Sequence, residues 1–170
     1  EVSIAHPRAE EVRTAARLED VLLPEVRRLH SAHDLTPQAH LLSNGRYAVM
    51  ITAAGSGYSR WRDLSVSRWR EDATCDDTGS YIFLRDAGSG AVWSAGYQPC
   101  GVEPDTYQVT FTEDRVEFIR TDPGVTSTLD ILVSPEDDAE VRRLSVTNTG
   151  SDTREIEITS YCELVLAPQA

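Results

Sequence analysis

Glu155-Ile156-Glu157-Ile158-Thr159-Ser160-Tyr161-Cys162-Glu163-Leu164-Val165-Leu166 puts Ile156, Ile158, Cys162, Leu164 and Leu166 on one parity, and Glu155, Glu157, Thr159 and Glu163 on the other. That period of two is the period of a strand, whose side chains alternate between faces. The stretch therefore reads as one continuous strand with its apolar face, Cys162 included, turned to a core. Leu129, Ile131 and Val133 repeat the pattern around Asp130 and Leu132.

Working back from there, Val141–Thr147, Val125–Val133, Arg115–Arg120, Tyr107–Thr112, Ala91–Ser94, Tyr81–Arg85 and Leu64–Arg70 also read as strands. Tyr47, Val49 and Ile51 alternate after the turn dipeptide Asn44-Gly45. Between the runs fall Ala87-Gly88-Ser89-Gly90, Glu113-Asp114, Asp122-Pro123-Gly124, Pro135-Glu136-Asp137-Asp138 and Thr149-Gly150-Ser151-Asp152. The parity flip between Val141 and Leu144–Val146 predicts a bulge near Arg142-Arg143. Many short strands joined by short turns, with no βαβ rhythm and no internal repeat, predict an all-β antiparallel sandwich over residues 40–170. Residues 1–39 are charged and carry Pro7, Pro24 and Pro37; they read as a leader or linker, with a helix over Ala9–Leu22 ended by Pro24.

The formal net charge of −12 repels a phosphate polymer, so no nucleic-acid partner is expected. All 16 basic residues are arginine, planar forks suited to carboxylates, phosphate or stacked contacts. Cys75, Cys100 and Cys162 are odd in number and widely spaced, which argues against a disulfide framework or a zinc site. His30 and His33 lack further ligands nearby in sequence, so neither a metal nor a cofactor is expected. No apolar run approaches the roughly 18 residues of a spanning helix, and the N-terminus has no charged-then-apolar signal pattern. A cytoplasmic domain is expected, unless targeting segments lie outside the given sequence.

Three segments could carry binding chemistry. The loop Ala53-Ala54-Gly55-Ser56-Gly57-Tyr58-Ser59-Arg60-Trp61 allows close backbone approach at its glycines, but no helix follows to complete a phosphate cradle. Arg68 and Arg70 share one face of a predicted strand opposite Trp69, close in sequence to Tyr58, Arg60 and Trp61. Guanidinium forks grip hydroxyls, carboxylates or phosphate. An indole against a pyranose covers about 100 Å² of apolar area, on the order of 2.5 kcal/mol at roughly 25 cal/mol/Å² before binding costs. Trp93, Tyr97 and Gln98 form the third segment, at a corner. The candidate carbohydrate-binding residues are thus Tyr58, Arg60, Trp61, Arg68, Arg70, Trp93 and Gln98. A structural reading stands beside it: arginines paired with Glu71, Asp72, Asp76 or Asp77, and tryptophans in the core. No Ser or Cys lies in a nucleophile context, and no catalytic residue is assigned.

Leu41-Leu42-Ser43-Asn44-Gly45-Arg46-Tyr47, Gly57-Tyr58-Ser59-Arg60-Trp61, Arg68-Trp69-Arg70-Glu71-Asp72, Gly79-Ser80-Tyr81-Ile82-Phe83-Leu84-Arg85-Asp86 and Trp93-Ser94-Ala95-Gly96-Tyr97-Gln98-Pro99 together resemble the inverting glycoside phosphorylases, cellobiose and chitobiose phosphorylase among them. The closest resemblance is to the phosphorylase-like C-terminal region of cyclic β-1,2-glucan synthases. Ser134–Arg143 and Thr159-Ser160-Tyr161 extend it to the chain's end. Ser56 and Arg62 stand where that pattern usually has glycine, and Thr78 where it usually has an aromatic.

The resemblance implies a β-supersandwich like that of galactose mutarotase, stopping partway, ahead of an (α/α) barrel. It implies a general-acid Asp on that barrel and phosphate as nucleophile. Phosphate is already anionic at neutral pH, so a single protein acid suffices. It further implies sandwich loops that help shape the active site, a gluco-oligosaccharide or β-glucan as ligand, and the barrel or a second copy as partner. The parent would be a hexosyltransferase or phosphorylase anchored in the bacterial inner membrane.

Overall fold

The computed structural model describes residues 26–33, 36, 38–68 and 78–168. The helix expected over Ala9–Leu22, and Trp69, Arg70 and Cys75, lie outside them. Among the described residues thirteen strands run in chain order: β1 (Arg27–Leu29), β2 (Ala39–Ser43), β3 (Tyr47–Thr52), β4 (Gly57–Trp61), β5 (Leu64–Ser67), β6 (Ser80–Asp86), β7 (Val92–Ser94), β8 (Thr106–Phe111), β9 (Arg115–Asp122), β10 (Val125–Val133), β11 (Glu140–Asn148), β12 (Ile156–Cys162) and β13 (Leu164–Pro168). They form three antiparallel sheets, ordered β1-β8-β9-β10-β11, β12-β6-β7 and β13-β5-β4-β3-β2. The all-β antiparallel reading is correct. Within the stretch read as leader, Arg27–Leu29 adds a strand to β8.

Alternation places Val109 and Phe111, Val116 and Phe118, Leu129 and Ile131, Val49 and Ile51, and Leu84 and Trp93 in a single buried cluster drawn from all three sheets. Fully burying such side chains contributes about 1.5–3 kcal/mol each, which is the main stabilising term of the fold.

Three expectations fail. The stretch 155–166 is two strands: β12 pairs with β6, then the chain crosses at Glu163 to pair β13 with β5 in a different sheet. Its apolar face is also not core. Ile158, Leu164 and Leu166 are 56%, 66% and 66% exposed, and Cys162 is exposed too. Periodicity reports which residues share a face, not whether anything covers that face. The third failure is the bulge near Arg142-Arg143, because β11 pairs with β10 in unbroken register from Glu140 to Asn148. The parity flip arises because Glu140 and Arg142 occupy inward positions. Glu140 Oε2 accepts from Ser59 Oγ at 2.8 Å, and Arg142 Nη1 donates to the Ser80 carbonyl at 2.7 Å. These polar side chains bridge β11 to the other two sheets.

His40 joins β2 to the neighbouring sheet. Its Nε2 donates to the Thr112 carbonyl at 2.7 Å, which leaves Nδ1 to accept from Arg27 Nη2 at 3.0 Å. The imidazole stacks on Phe111 at 5.2 Å, and the Arg27 guanidinium lies 4.9 Å from the same ring. Acceptance at Nδ1 from Arg27 needs a neutral imidazole, since both ring nitrogens are donors once it is protonated. Burial lowers the His40 pKa below 6.5, and the positive charge of Arg27 adds to this, against the Thr112 bond. A depressed histidine pKa means the stabilisation is present above 6.5 and is lost as pH falls from there through the folded-state value. Denaturant melts at about pH 7.5 and about pH 5.5 should show wild type losing more stability on acidification than His40→Gln.

Candidate functional site: an aromatic cleft on the β6–β12 ladder

The glycine loop is fully occupied in holding the corner together. Gly55 N donates to Thr52 O, Ser56 N to Thr52 Oγ1 and Gly57 N to Thr78 O, while Tyr97 N and Gln98 N donate to Ala54 O. Its amides are therefore spent inside the protein and do not point at an anion. Ser56, in place of a glycine, is buried and its hydroxyl meets Thr52 Oγ1 at 2.8 Å.

The sequence-derived candidates fall into separate places. Tyr58 and Arg60 alternate with the buried Gly57 and Ser59 along β4, so they project from the opposite face of its sheet. Arg60 Nε donates to the Arg62 carbonyl at 2.6 Å. Trp61, at the end of β4, donates from Nε1 to Asp138 Oδ2 at 2.5 Å, and the Arg62 guanidinium lies 5.0 Å from its ring centre. Arg46 Nε holds the other Asp138 oxygen at 2.6 Å. The Arg46 and Trp61 bonds keep that carboxyl below its usual pKa. Arg62 has φ +50°, the left-handed conformation that makes glycine common at such a turn. Trp93, expected at a sugar-facing edge, is 5% exposed and belongs to the core, so it offers no ring face to a solute. Gln98, half-buried before the cis peptide to Pro99, borders a narrow interior space with Ser80 and Tyr81.

Arg68 lies elsewhere. It forms an ion pair with Glu163, the crossover residue between β12 and β13, and its amide donates to the Glu163 carbonyl at 3.1 Å, while Glu71, Asp72, Asp76 and Asp77 lie outside the described residues. Tyr161 OH donates to Glu163 Oε1 at 3.0 Å, a bond that raises the tyrosine pKa above its ordinary value. Tyr161 stands directly across the ladder from Tyr81. Phe83 lies 6.3 Å from Tyr81 and 6.4 Å from Tyr161, nearly edge-on to the latter at 72°. With Thr78, Gly79 and Pro99 these residues line a cleft of about 280 Å³. A carbon added at Gly79 would sit 3.2 Å from the Tyr81 ring and hydroxyl, close enough that the ring would have to give by a few tenths of an ångström.

Sequence reasoning missed this cleft because Tyr161 and Glu163 lie on the polar parity of a segment read for its apolar one. The usable signal was that Tyr81 and Phe83 share a parity in β6, as Tyr161 and Glu163 do across the crossover. Among the described residues no group of three or more His, Cys, Asp or Glu is gathered as a metal would require, and no helix is long and apolar enough to cross a membrane.

The three-sheet antiparallel architecture is that of a supersandwich, and residues 24–170 match the glycosyl hydrolase 94 supersandwich-domain model. The chain belongs to that family. It is 45% identical over 148 residues to the cyclic β-(1,2)-glucan synthase NdvB of Rhizobium meliloti (strain 1021), covering 87% of this chain and 5% of that protein. It is 28% identical over 132 residues to the N,N'-diacetylchitobiose phosphorylase of Vibrio proteolyticus, covering 75% of this chain and 16% of that protein. With the 3-O-β-D-glucopyranosyl-β-D-glucuronide phosphorylase of Paenibacillus borealis, identity is 26% over 117 residues, covering 69% of this chain and 14% of that protein. The chain thus spans between 5% and 16% of the length of these relatives.

Proposed function

We propose that this chain is the non-catalytic, carbohydrate-associated sandwich of a glucan-processing enzyme, helping to bind β-linked glucan and to shape the active site of an (α/α) barrel. The observation that carries the reading is the pairing of family membership with a cleft walled by aromatic rings and edged by an arginine–carboxylate pair. Aromatic faces take the C–H face of a pyranose, while carboxylate and guanidinium exchange hydrogen bonds with its hydroxyls. The parent activity is glucan synthesis or phosphorolysis, in keeping with the names of the relatives. Its general acid is placed on the barrel, so no residue of this chain takes a catalytic role. A shallow site of this kind binds weakly, since ordering costs offset most of the stacking gain. Isothermal titration with β-1,2-linked gluco-oligosaccharides should give millimolar-range dissociation constants. No heat beyond dilution at tens of millimolar sugar would rule the reading out.

A second reading, a docking or dimerisation module with no sugar site, is favoured by a separate observation. Val141, Ile158, Leu164, Val165 and Leu166 are exposed on β11, β12 and β13, each of which ends its sheet. Under that reading, Leu164→Ser would abolish self-association in sedimentation velocity and the chain would show no response to sugar.

A further inference from the structure

The geometry points to the cleft on the β6–β12 ladder as the seat of one pyranose residue of a neutral gluco-oligosaccharide, stacked on Tyr161 and hydrogen-bonded to the Arg68–Glu163 pair. This rests on the carbohydrate reading above and fixes where on the sandwich the sugar is held, which the family match leaves open.

Three features single the cleft out. The first is its walls. Tyr81 is buried while Tyr161, its cross-strand neighbour on the same face of the ladder, is 47% exposed, so one ring is fixed and the one beside it is free to present a face. Phe83 stands nearly perpendicular to Tyr161, which makes a corner able to meet a flat ring on a face and an edge at once. The second is the polar edge. Tyr161 spends its hydroxyl on Glu163, and Glu163 is in turn held by Arg68. The stacking ring and the hydroxyl-binding pair are thereby oriented by one another before any ligand arrives, which lowers the ordering cost of binding. The third is size. Ligand pockets start at roughly 300 Å³, and this cleft, at about 280 Å³, suits one sugar residue and not a whole chain.

The rival location around Trp61 is already engaged. Arg62 lies over that indole, its N–H is bonded to Asp138, and Asp138 is shared with Arg46. The Arg68–Glu163 pair is also suited to a neutral ligand. A phosphate or carboxylate would have to approach Glu163, whereas a hydroxyl can donate to the carboxylate and accept from the guanidinium at once.

Saturation-transfer NMR of the 170-residue chain with a β-1,2-linked gluco-oligosaccharide tests the assignment. Tyr161→Ala should weaken binding about tenfold or more, Tyr161→Phe should stay within about threefold, and Trp61→Ala should match wild type. Far-UV circular dichroism of each variant verifies the fold; the exposed Tyr161 ring can be removed without opening the core. Glu163→Gln, which keeps shape and loses charge, should also weaken binding. Wild-type affinity in both folded Tyr161→Ala and Glu163→Gln would overturn this location while leaving the carbohydrate reading in place. Equal losses in Tyr161→Ala and Tyr161→Phe would overturn the stacking role. No response from the unsubstituted chain would defeat the carbohydrate reading itself, and the site with it.

Discussion

Gly57→Ala is expected to destabilise the protein by about 3 kcal/mol or more, a large share of the roughly 5–15 kcal/mol that holds a domain folded. The added carbon would fall on the carbonyl oxygen of Met50, far inside van der Waals contact, and 2.9 Å from the carbonyl carbon. Both atoms are backbone of β3, the strand paired with β4, so no side chain can swing away to make room. The only relief is to part the ladder at Ile51↔Gly57, which also displaces the Gly57 N–H from the Thr78 carbonyl it meets at 3.0 Å. Gly45→Ala is the control. Its φ is +85°, but an added carbon meets nothing within 4 Å. Only the backbone preference is lost there, about 1–2 kcal/mol. Urea melts of the two variants should therefore differ clearly in midpoint; equal midpoints would show that the close approach at Met50 is relieved elsewhere.

Asp122→Ala should cost about 3–5 kcal/mol, the range for stranding a buried charge. Arg120 is 0% exposed, and each of its three guanidinium nitrogens donates a hydrogen bond. Nε and Nη2 each donate to Asp122 at 2.7 Å, and Nη1 donates to the Gly96 carbonyl at 3.0 Å. The two residues are two apart on β9, hence on the same inward face. Removing the carboxylate leaves a guanidinium in the core with one partner. The double variant Arg120→Met/Asp122→Leu removes both charges and should recover most of the loss, because a buried pair owes little net stability to its own attraction. Failure of the double variant to recover would mean that the Gly96 bond, and the corner it supports, carries the larger share.

The sheet order could not be read from the sequence, although most of the strands could: β1 and β2 carry no reading as strands, and β4 falls inside the stretch read as a glycine loop. Val125–Val133 is reproduced residue for residue, because an isolated run with turn residues at both ends leaves little freedom. The segment 155–166 was misjudged because no local signal marks Glu163 as a crossover; its partners Arg68 and Tyr161 become visible only once β5 and β12 are adjacent. Glu140 and Arg142 mislead for a related reason, as inward polar residues whose partners lie in other sheets. Of the candidate site residues, Arg68 borders the aromatic cleft through Glu163 and Gln98 precedes a lining residue. Trp93 was chosen for its ring chemistry, which suits a core as well as it suits a sugar. Thr78, which departs from the aromatic usual in the resembling family, lies on the cleft itself.

Amide shift mapping during titration of the labelled chain with a β-1,2-linked gluco-oligosaccharide probes the sugar-binding account most directly. Saturable shifts centred on Gly79, Phe83, Tyr161 and Glu163, with Leu41 and Thr147 unmoved, are the predicted result. A flat titration up to tens of millimolar, or saturable shifts confined to β4 around Tyr58 and Arg60, would contradict it.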